Sequence, residues 1–443
     1  MTTTFDVIIV GGRPAGAALA VRLGAAGLSV LVVDKSTFPS APEVPSCPVL
    51  YPKAMLLLDE IGFSEDLYAH ATTPVKAAAI VFDGHFAADF TVPTMFGRDH
   101  VCGFDRAGFD AALWEFLGRS TSVTRRAGFR VDEVLRDESG RVVGISGAGE
   151  GGAVEPLYAR LCVVGADGRH SLIARKVQAK VIEDQAACTS TVHFAEWEGL
   201  APYADETTPI MEIVTRARGL NVLFFPSANG RTHVTLHARS DRADTGGDAQ
   251  GYYMRQLEAF AEVRRRLVGA RQVGPLLGMR RIANRYREHG GPGWVLLGDS
   301  VHHKDPVDGQ GVYDALVEGK RLAALILELH RGAITWPALV TAYGRAIREE
   351  TGAMFKATMQ RLERELYQEP PVPVIRTFMR WLLQDPAYQR QFFAFLAREV
   401  SPDGWLGPKL LLGAAVRGLL RDLGGLVRRV TGGPRVVRIG ATP

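Results

Sequence analysis

No stretch of the chain approaches the roughly 18 consecutive apolar residues that a membrane-crossing helix requires, which argues against a spanning protein. Cysteine is scarce: four residues, at 47, 102, 162 and 188, are too few and too far apart for a disulfide scaffold. None forms a Cys-x-x-Cys pair, so neither a zinc site nor a redox dithiol is read, and reduced thiols in a reducing compartment are the simplest account. The N-terminus, Met1-Thr2-Thr3-Thr4, leads straight into a strand pattern without the basic, apolar and small-residue order of a signal peptide. A cytoplasmic location is therefore expected. An excess of one charge is missing as well. Residues 401–443 hold seven Lys/Arg and two Asp/Glu, while the rest carries 45 basic against 46 acidic groups. That leaves no basic body for nucleic acid, but a basic tail. No repeat of 20–50 residues is visible.

What the sequence does contain is an ordinary globular composition, 47% hydrophobic and 23% charged over 443 residues, enough for two or three packing units. Residues 5–10 (Phe-Asp-Val-Ile-Ile-Val) have the pattern of a short buried strand. A Gly-rich turn follows, then an Ala/Leu-rich helix from Pro14 to about Ala26, then a second buried strand from Ser29 to Val33 closing at Asp34. This is a βαβ unit of the expected size. The segment from Phe38 to Pro52 carries five prolines, which exclude helix and central strand. Helical patterns are expected at 53–61, 106–119, 251–268 and 311–331, and over most of the chain beyond Pro337. Alternating strand patterns occur at 76–93, 127–146, 188–197, 209–225 and 231–239, and a buried strand at 294–297.

Three glycine-bearing turns carry the chemistry. The first reads Gly11-Gly12-Arg13-Pro14-Ala15-Gly16. A dinucleotide fingerprint wants glycine at its first, third and sixth positions: for the tight turn, for close approach of backbone to a pyrophosphate, and for helix–strand packing. Gly11 and Gly16 comply, whereas the third position is Arg13, whose guanidinium either points away from a phosphate or pairs with one. Pro14 suits a first helical position, and the helix start offers free N–H groups to phosphates. Asp34, followed by Lys35, ends the second strand where a carboxylate accepts ribose hydroxyls. A plain βα turn that binds nothing is the alternative. The second turn, Cys162-Val163-Val164-Gly165-Ala166-Asp167-Gly168, leaves an Asp at the end of a strand. The third runs from Gly298-Asp299 through His302-His303-Lys304-Asp305-Pro306 to Gly309-Gln310-Gly311, where a long helix begins.

With these motifs in this order, the chain resembles the class A flavoprotein monooxygenase superfamily, the p-hydroxybenzoate hydroxylase-like fold, from Phe5 to about Leu325. Arg106, with Phe109, Asp110 and Leu113, matches a further family helix whose Arg lies near the FAD phosphates. In detail the chain is similar to the geranylgeranyl reductase-like branch, on Arg13, Phe38-Pro39-Ser40 and His303-Lys304-Asp305-Pro306. The Trp-x-Trp-x-Ile-Pro signature of flavin halogenases is absent from the sequence. The resemblance implies an α/β fold: a Rossmann-type FAD-binding domain (1–75, 101–180, 281–350), an inserted, mostly antiparallel β-sheet substrate domain (76–100, 181–280), and a helical C-terminal region (351–443) with the basic tail. It further implies FAD held by the first turn, Asp167, Asp299, Pro306 and the backbone of Gly309, Gln310 and Gly311. NADPH or NADH would reduce the flavin transiently, and molecular oxygen would reach a hydrophobic aromatic or polycyclic substrate through a flavin C4a-hydroperoxide. A reductase of isoprenoid-type double bonds and a non-catalytic flavin-binding protein are the alternatives.

Substrate contacts are expected on the strands between 188 and 239: His193, Phe194, Trp197, Phe225 and Pro226, with core packing as the competing reading. His303, beside the third turn, is the candidate acid–base residue. Cys47 is expected to be a small buried residue. Residues 403–430 alternate leucines with Lys/Arg; peripheral contact with an anionic membrane, a cap over the substrate channel, and packing on the body are all compatible with that pattern.

Overall fold

A computed structural model of the chain describes residues 4–42, 46–203 and 209–430, with side chains up to 427. Its first sheet is built on parallel strands. Thr4–Val10 lies between Val30–Val33 and Glu155–Gly165; Val123–Arg126 extends one edge and Trp294–Leu296 the other. Strands buried on both faces need continuous apolar runs, and Val7, Ile8 and Ile9 are fully buried. Helix Pro14–Ala25 covers the sheet and packs on the long helix Gly311–His330, which itself packs on Trp336–Leu362. The alternating stretch 127–146 proves to be two antiparallel strands, Arg130–Arg136 and Val142–Ala148, turned at residues 137–141.

The second sheet has seven strands in the order Arg271–Met279, Ser190–Glu198, Thr232–Arg239, Leu220–Pro226, Ile210–Thr215, Ala77–Phe82, Phe86–Thr91. All neighbours are antiparallel except Ile210–Thr215 with Ala77–Phe82. Helices Ala249–Ala259 and Ala261–Arg266 cover one face; the stretch expected as one helix at 251–268 breaks at Phe260, whose backbone is extended. The opposite face looks toward the turn at Pro306. The fold is thus a Rossmann-type α/β unit with a mostly antiparallel sheet and a helical C-terminal region, as the motifs lead one to expect. Among the described residues no helix is long and apolar enough to cross a membrane.

Candidate functional site

The opening turn is set by backbone geometry. Gly11 has φ 108°, a conformation reserved for glycine, and a Cβ there would lie 2.3 Å from the Ala166 carbonyl oxygen. A Cβ on Gly16 would lie 2.0 Å from the Gly11 oxygen, so helix and strand touch as the last glycine of the fingerprint requires. Arg13 is extended (φ −83°, ψ −173°), a conformation any residue adopts, which is why no glycine is needed there. Its guanidinium leaves the turn sideways. It pairs with Asp110, donates to the Ser40 carbonyl at 2.8 Å and to Ser40 Oγ at 3.1 Å, and lies over the Phe38 ring, which stacks on Trp114. Of the two roles open to Arg13, the structure shows the first: it is a strut between the Pro-rich segment and helix Arg106–Leu117.

Asp110 is fully buried and also accepts from Arg106 Nε at 2.8 Å, while Arg106 Nη1 donates to Ser46 Oγ at 3.2 Å. One carboxylate therefore fixes two guanidiniums beside the turn, a role that spacing alone could not reveal. Asp34 is buried; its Oδ2 accepts from the Gly12 amide and its Oδ1 from the Ser36 amide, both at 2.8 Å. Lys35 is exposed.

At the second turn Asp167 is engaged within the chain. Its oxygens accept from Ser171 Oγ at 2.6 Å, Leu172 N at 2.6 Å and Ile173 N at 3.1 Å, so the carboxylate caps the short helix Leu172–Lys176. Burial pushes its carboxyl up. Beyond Gly168 a polar cleft is lined by Arg169, His170, Ser171, Arg175, Gln178 and Arg287. Arg169 is buried, and its Nε has no hydrogen-bond partner.

The third turn begins at Gly298 (φ 65°), where a Cβ would come within 3.0 Å of Ala15 Cβ; this contact joins the third motif to the first. The Gly298 amide donates to Glu318 at 2.8 Å. Burial, then the nearby Asp314, pushes the Glu318 carboxyl up to about 8. Asp299 is partly exposed and meets Arg169 at 3.5 Å, leaving acceptor positions open. Gly309 (φ 64°) is pressed against Val49 and Cys47. Gln310 turns its amide away, donating to the Leu396 carbonyl at 2.8 Å and accepting from Arg398 Nε at 2.8 Å, so its backbone alone is left for a ligand. Arg398 also pairs with Asp314 at 2.9 Å, which Lys304 joins; Arg361 holds Asp308 at 2.7 Å. The C-terminal helices thereby clamp the turn from behind.

His303 sits behind the third turn. It is buried, with Nδ1 3.3 Å from the Asp299 carbonyl, and it does not line the cavity described next. Burial, reinforced by Arg169, Arg287 and Arg285, pushes its imidazole down to about 2, so it stays uncharged near neutral pH.

Against the Pro306–Val307 turn lies a small cavity of about 20 Å³. Val192, Phe194, Leu223 and Phe225 form an apolar wall, His233, Thr235 and His237 a polar strip, and Ser46, Cys47, Pro306 and Val307 the facing rim. Strand alternation decides membership, because successive side chains point to opposite faces. Phe194 and Phe225 fall on the cavity face. His193 and Trp197 fall on the other: His193 meets Tyr252 at 5.7 Å, and Trp197 donates to the Tyr253 hydroxyl at 3.1 Å. Pro226 likewise turns away, its carbonyl against Gly103. Of the expected pocket residues, these three lie outside the cavity and Phe194 and Phe225 line it. Cys47 is not fully buried and lines the rim; desolvation pushes its thiol up.

The polar strip went unread in the sequence, although Thr232-His233-Val234-Thr235-Leu236-His237 shows the period-two spacing that puts both histidines on one face. Each histidine is backed by a carboxylate. His233 Nδ1 is 2.9 Å from Glu196, and its ring stacks on Phe194 at 4.5 Å. His237 Nε2 is 3.1 Å from Asp305, which also accepts from Ser190 and from the Val307 amide. Burial alone would push the Asp305 carboxyl up, but His237 and these donors hold it below the ordinary range. Away from the cavity, Glu65, His100 and Cys102 place one ligand-type atom each within 4.8 Å of one another, but Arg98 already pairs with the Glu65 carboxylate.

A family model described as an FAD binding domain matches residues 4–352. The FAD-dependent monooxygenase spyC of Aspergillus fumigatus is 26% identical, the match covering 90% of this chain and 83% of that protein. The menaquinone reductase of Mycobacterium tuberculosis is 28% identical over 77% of this chain and 81% of its own length. Among solved structures, the flavin-dependent brominase Bmp2 superimposes with a TM-score of 0.74 at 20% identity, over 95% of this chain and all of that one.

Proposed function

The chain belongs to the FAD-binding domain family and is an FAD-dependent oxidoreductase; on that premise we propose that it is a monooxygenase acting on a hydrophobic aromatic or polycyclic molecule. The cofactor fits the residues present. Two helix starts, at Pro14 and Gly311, offer amide groups to anionic or electron-rich atoms, Asp34 and Asp299 keep acceptor positions for hydroxyls, and a Cβ on Gly311 would meet open space. Bound FAD supplies hydride acceptance and oxygen activation. The opening turn and Asp34 would hold its adenosine half, and Asp299 with the Gly309–Gly311 backbone its ring end. The observation that carries the proposal is the cavity: an apolar wall on one side and the Pro306–Val307 turn on the other. The wall excludes water and orients a flat apolar substrate. His237, with Nε2 3.1 Å from the Asp305 carboxylate, gives this wall a polar edge against which a substrate hydroxyl would lie.

NADPH or NADH serves as the transient reductant in this reading. It is supported by the cleft of Arg169, His170, Arg175 and Arg287, where three guanidiniums suit phosphate oxygens. The segments 1–75, 101–180 and 281–350 are read as the cofactor unit, 76–100 and 181–280 as the substrate unit, and 351–443 as the helical region that locks the third turn. The reducing setting read from the cysteines keeps the enzyme in the cytoplasm. Stopped-flow reduction of the FAD-loaded protein by NADPH or NADH without oxygen, followed by oxygen uptake with aromatic candidates, tests the proposal. Hydroxylated or epoxidised product that requires oxygen supports it. A saturated isoprenoid product formed without oxygen would replace it with the reductase reading, which the menaquinone reductase relative favours.

A further inference from the structure

The helix Pro408–Val430 is mounted inside out. Ala414 and Gly418 are buried against the body, and a Cβ on Gly418 would fall 2.2 Å from the Trp381 ring. Polar tethers hold that orientation. Arg417 bonds Asp385 at 2.6 and 3.0 Å, Asp422 accepts from Arg380 at 2.6 Å and from Trp381 Nε1 at 2.9 Å, and Arg421 reaches the Gln384 and Trp381 carbonyls. At 100° per residue, Leu412, Val416, Leu419, Leu420, Leu423 and Leu426 form one stripe on the side opposite Ala414 and Gly418. All six are 47–68% exposed. A helix packed on a water-soluble body ordinarily turns its apolar stripe inward. Here small and polar residues face in and the leucines face out, and a contiguous exposed apolar patch marks an interaction surface.

We propose that this stripe docks on an anionic lipid surface, lying in the headgroup plane with its leucines toward the acyl chains. Charge decides the occupant. Of the seven Lys/Arg and two Asp/Glu in residues 401–443, Arg417, Arg421 and Asp422 are tethers to the body, which leaves five basic groups against Asp403, while the rest of the chain is near neutral. A second copy seated stripe to stripe would set two like-charged segments against each other, whereas an anionic leaflet complements them. Because the tethers fix the helix to the body, docking delivers the whole protein to the surface with the leucines already oriented.

The test uses the full-length, FAD-loaded protein in flotation with vesicles of phosphatidylglycerol and phosphatidylcholine, and with phosphatidylcholine alone. The wild type is expected to float with the anionic vesicles and to be released by high salt. The double variant Leu419→Glu/Leu423→Glu is expected to bind on the order of a hundredfold more weakly, with unchanged FAD content and melting temperature, since both side chains are exposed. Leu419→Ala/Leu423→Ala, which adds no charge, should fall between the two. The proposal is overturned if the wild type fails to float, or if the Glu variant floats equally well. It is also overturned if light scattering shows a wild-type dimer that the variant dissolves, which would make the stripe a contact between copies. Flotation gained only after removal of residues 431–443 would assign the stripe to the chain's own terminal segment and overturn it as well.

Discussion

The proposed cofactor side and the proposed substrate side of this protein are specified by different parts of the chain's chemistry. The cofactor side is specified by backbone: Gly11, Gly16, Gly298 and Gly309 are required where φ is positive or where main chain touches main chain. The substrate side is specified by the phase of strands, in which a one-residue step turns a cavity wall into a packing surface. Phe194 and Trp197 are three residues apart on one strand and serve opposite layers. Glycines at fixed spacing announce themselves in a sequence; strand phase becomes useful once one knows what covers each face.

The sharpest way to break the comparison is to disturb the backbone-coded side. Gly11→Ala forces a side chain into φ 108° and against the Ala166 carbonyl, and should cost roughly 4 kcal/mol and leave the purified protein without flavin. The ratio of flavin to protein absorbance and thermal unfolding report both effects. Next come two aromatics on the second sheet. Trp197→Ala should destabilise by about 3 kcal/mol while leaving substrate KM unchanged, because its ring packs under Tyr253. Phe225→Ala should raise KM roughly tenfold with a smaller loss of stability. If the two phenotypes were exchanged, the face assignment would be wrong.

Arg13→Gly sharpens the lesson further, because it completes the glycine fingerprint on paper. It should nevertheless lose about 2 kcal/mol and gain no FAD affinity, since the buried Asp110 would keep Arg106 alone as partner. Flavin titration and urea unfolding decide it. A pH-dependent effect is expected from Glu318→Gln. In the folded chain Glu318 holds its proton up to about 8, against an ordinary 4.5, so the folded state binds more protons than the unfolded one between those values. Stability attributable to this group is therefore lost as pH rises from about 5 to about 8. The glutamine variant has no such proton to give up, and its melting temperature should lose less than the wild type's across that window.

Legibility followed the same division. The βαβ unit, the strand into Gly298 and the long helix after it were readable within a residue or two, because continuous apolar runs end there at glycine or proline. The cofactor motifs were readable as positions but less so as side-chain partners. Asp167 caps a helix, Arg13 is an internal strut, and the Gln310 side chain, of which the motif asks backbone alone, bonds the Leu396 carbonyl. The partners of Asp167 lie within six residues of it, whereas for Gln310 and Arg13 the deciding partner sits far along the chain, at Leu396, Arg398 and Asp110. His233 and His237 were passed over for the same reason: their carboxylates, Glu196 and Asp305, come from other strands and turns. Adjacent His302 and His303 drew the eye, yet burial leaves both rings uncharged near neutral pH.

The bond from Arg398 to Gln310 and Asp314 spans 88 and 84 residues of chain. During synthesis a ribosome must release nearly the entire polypeptide before that lock can close. The first sheet and its covering helices are themselves completed late, because Trp294–Leu296 and Gly311–His330 belong to them. The third turn thus stays unlocked until synthesis is nearly complete.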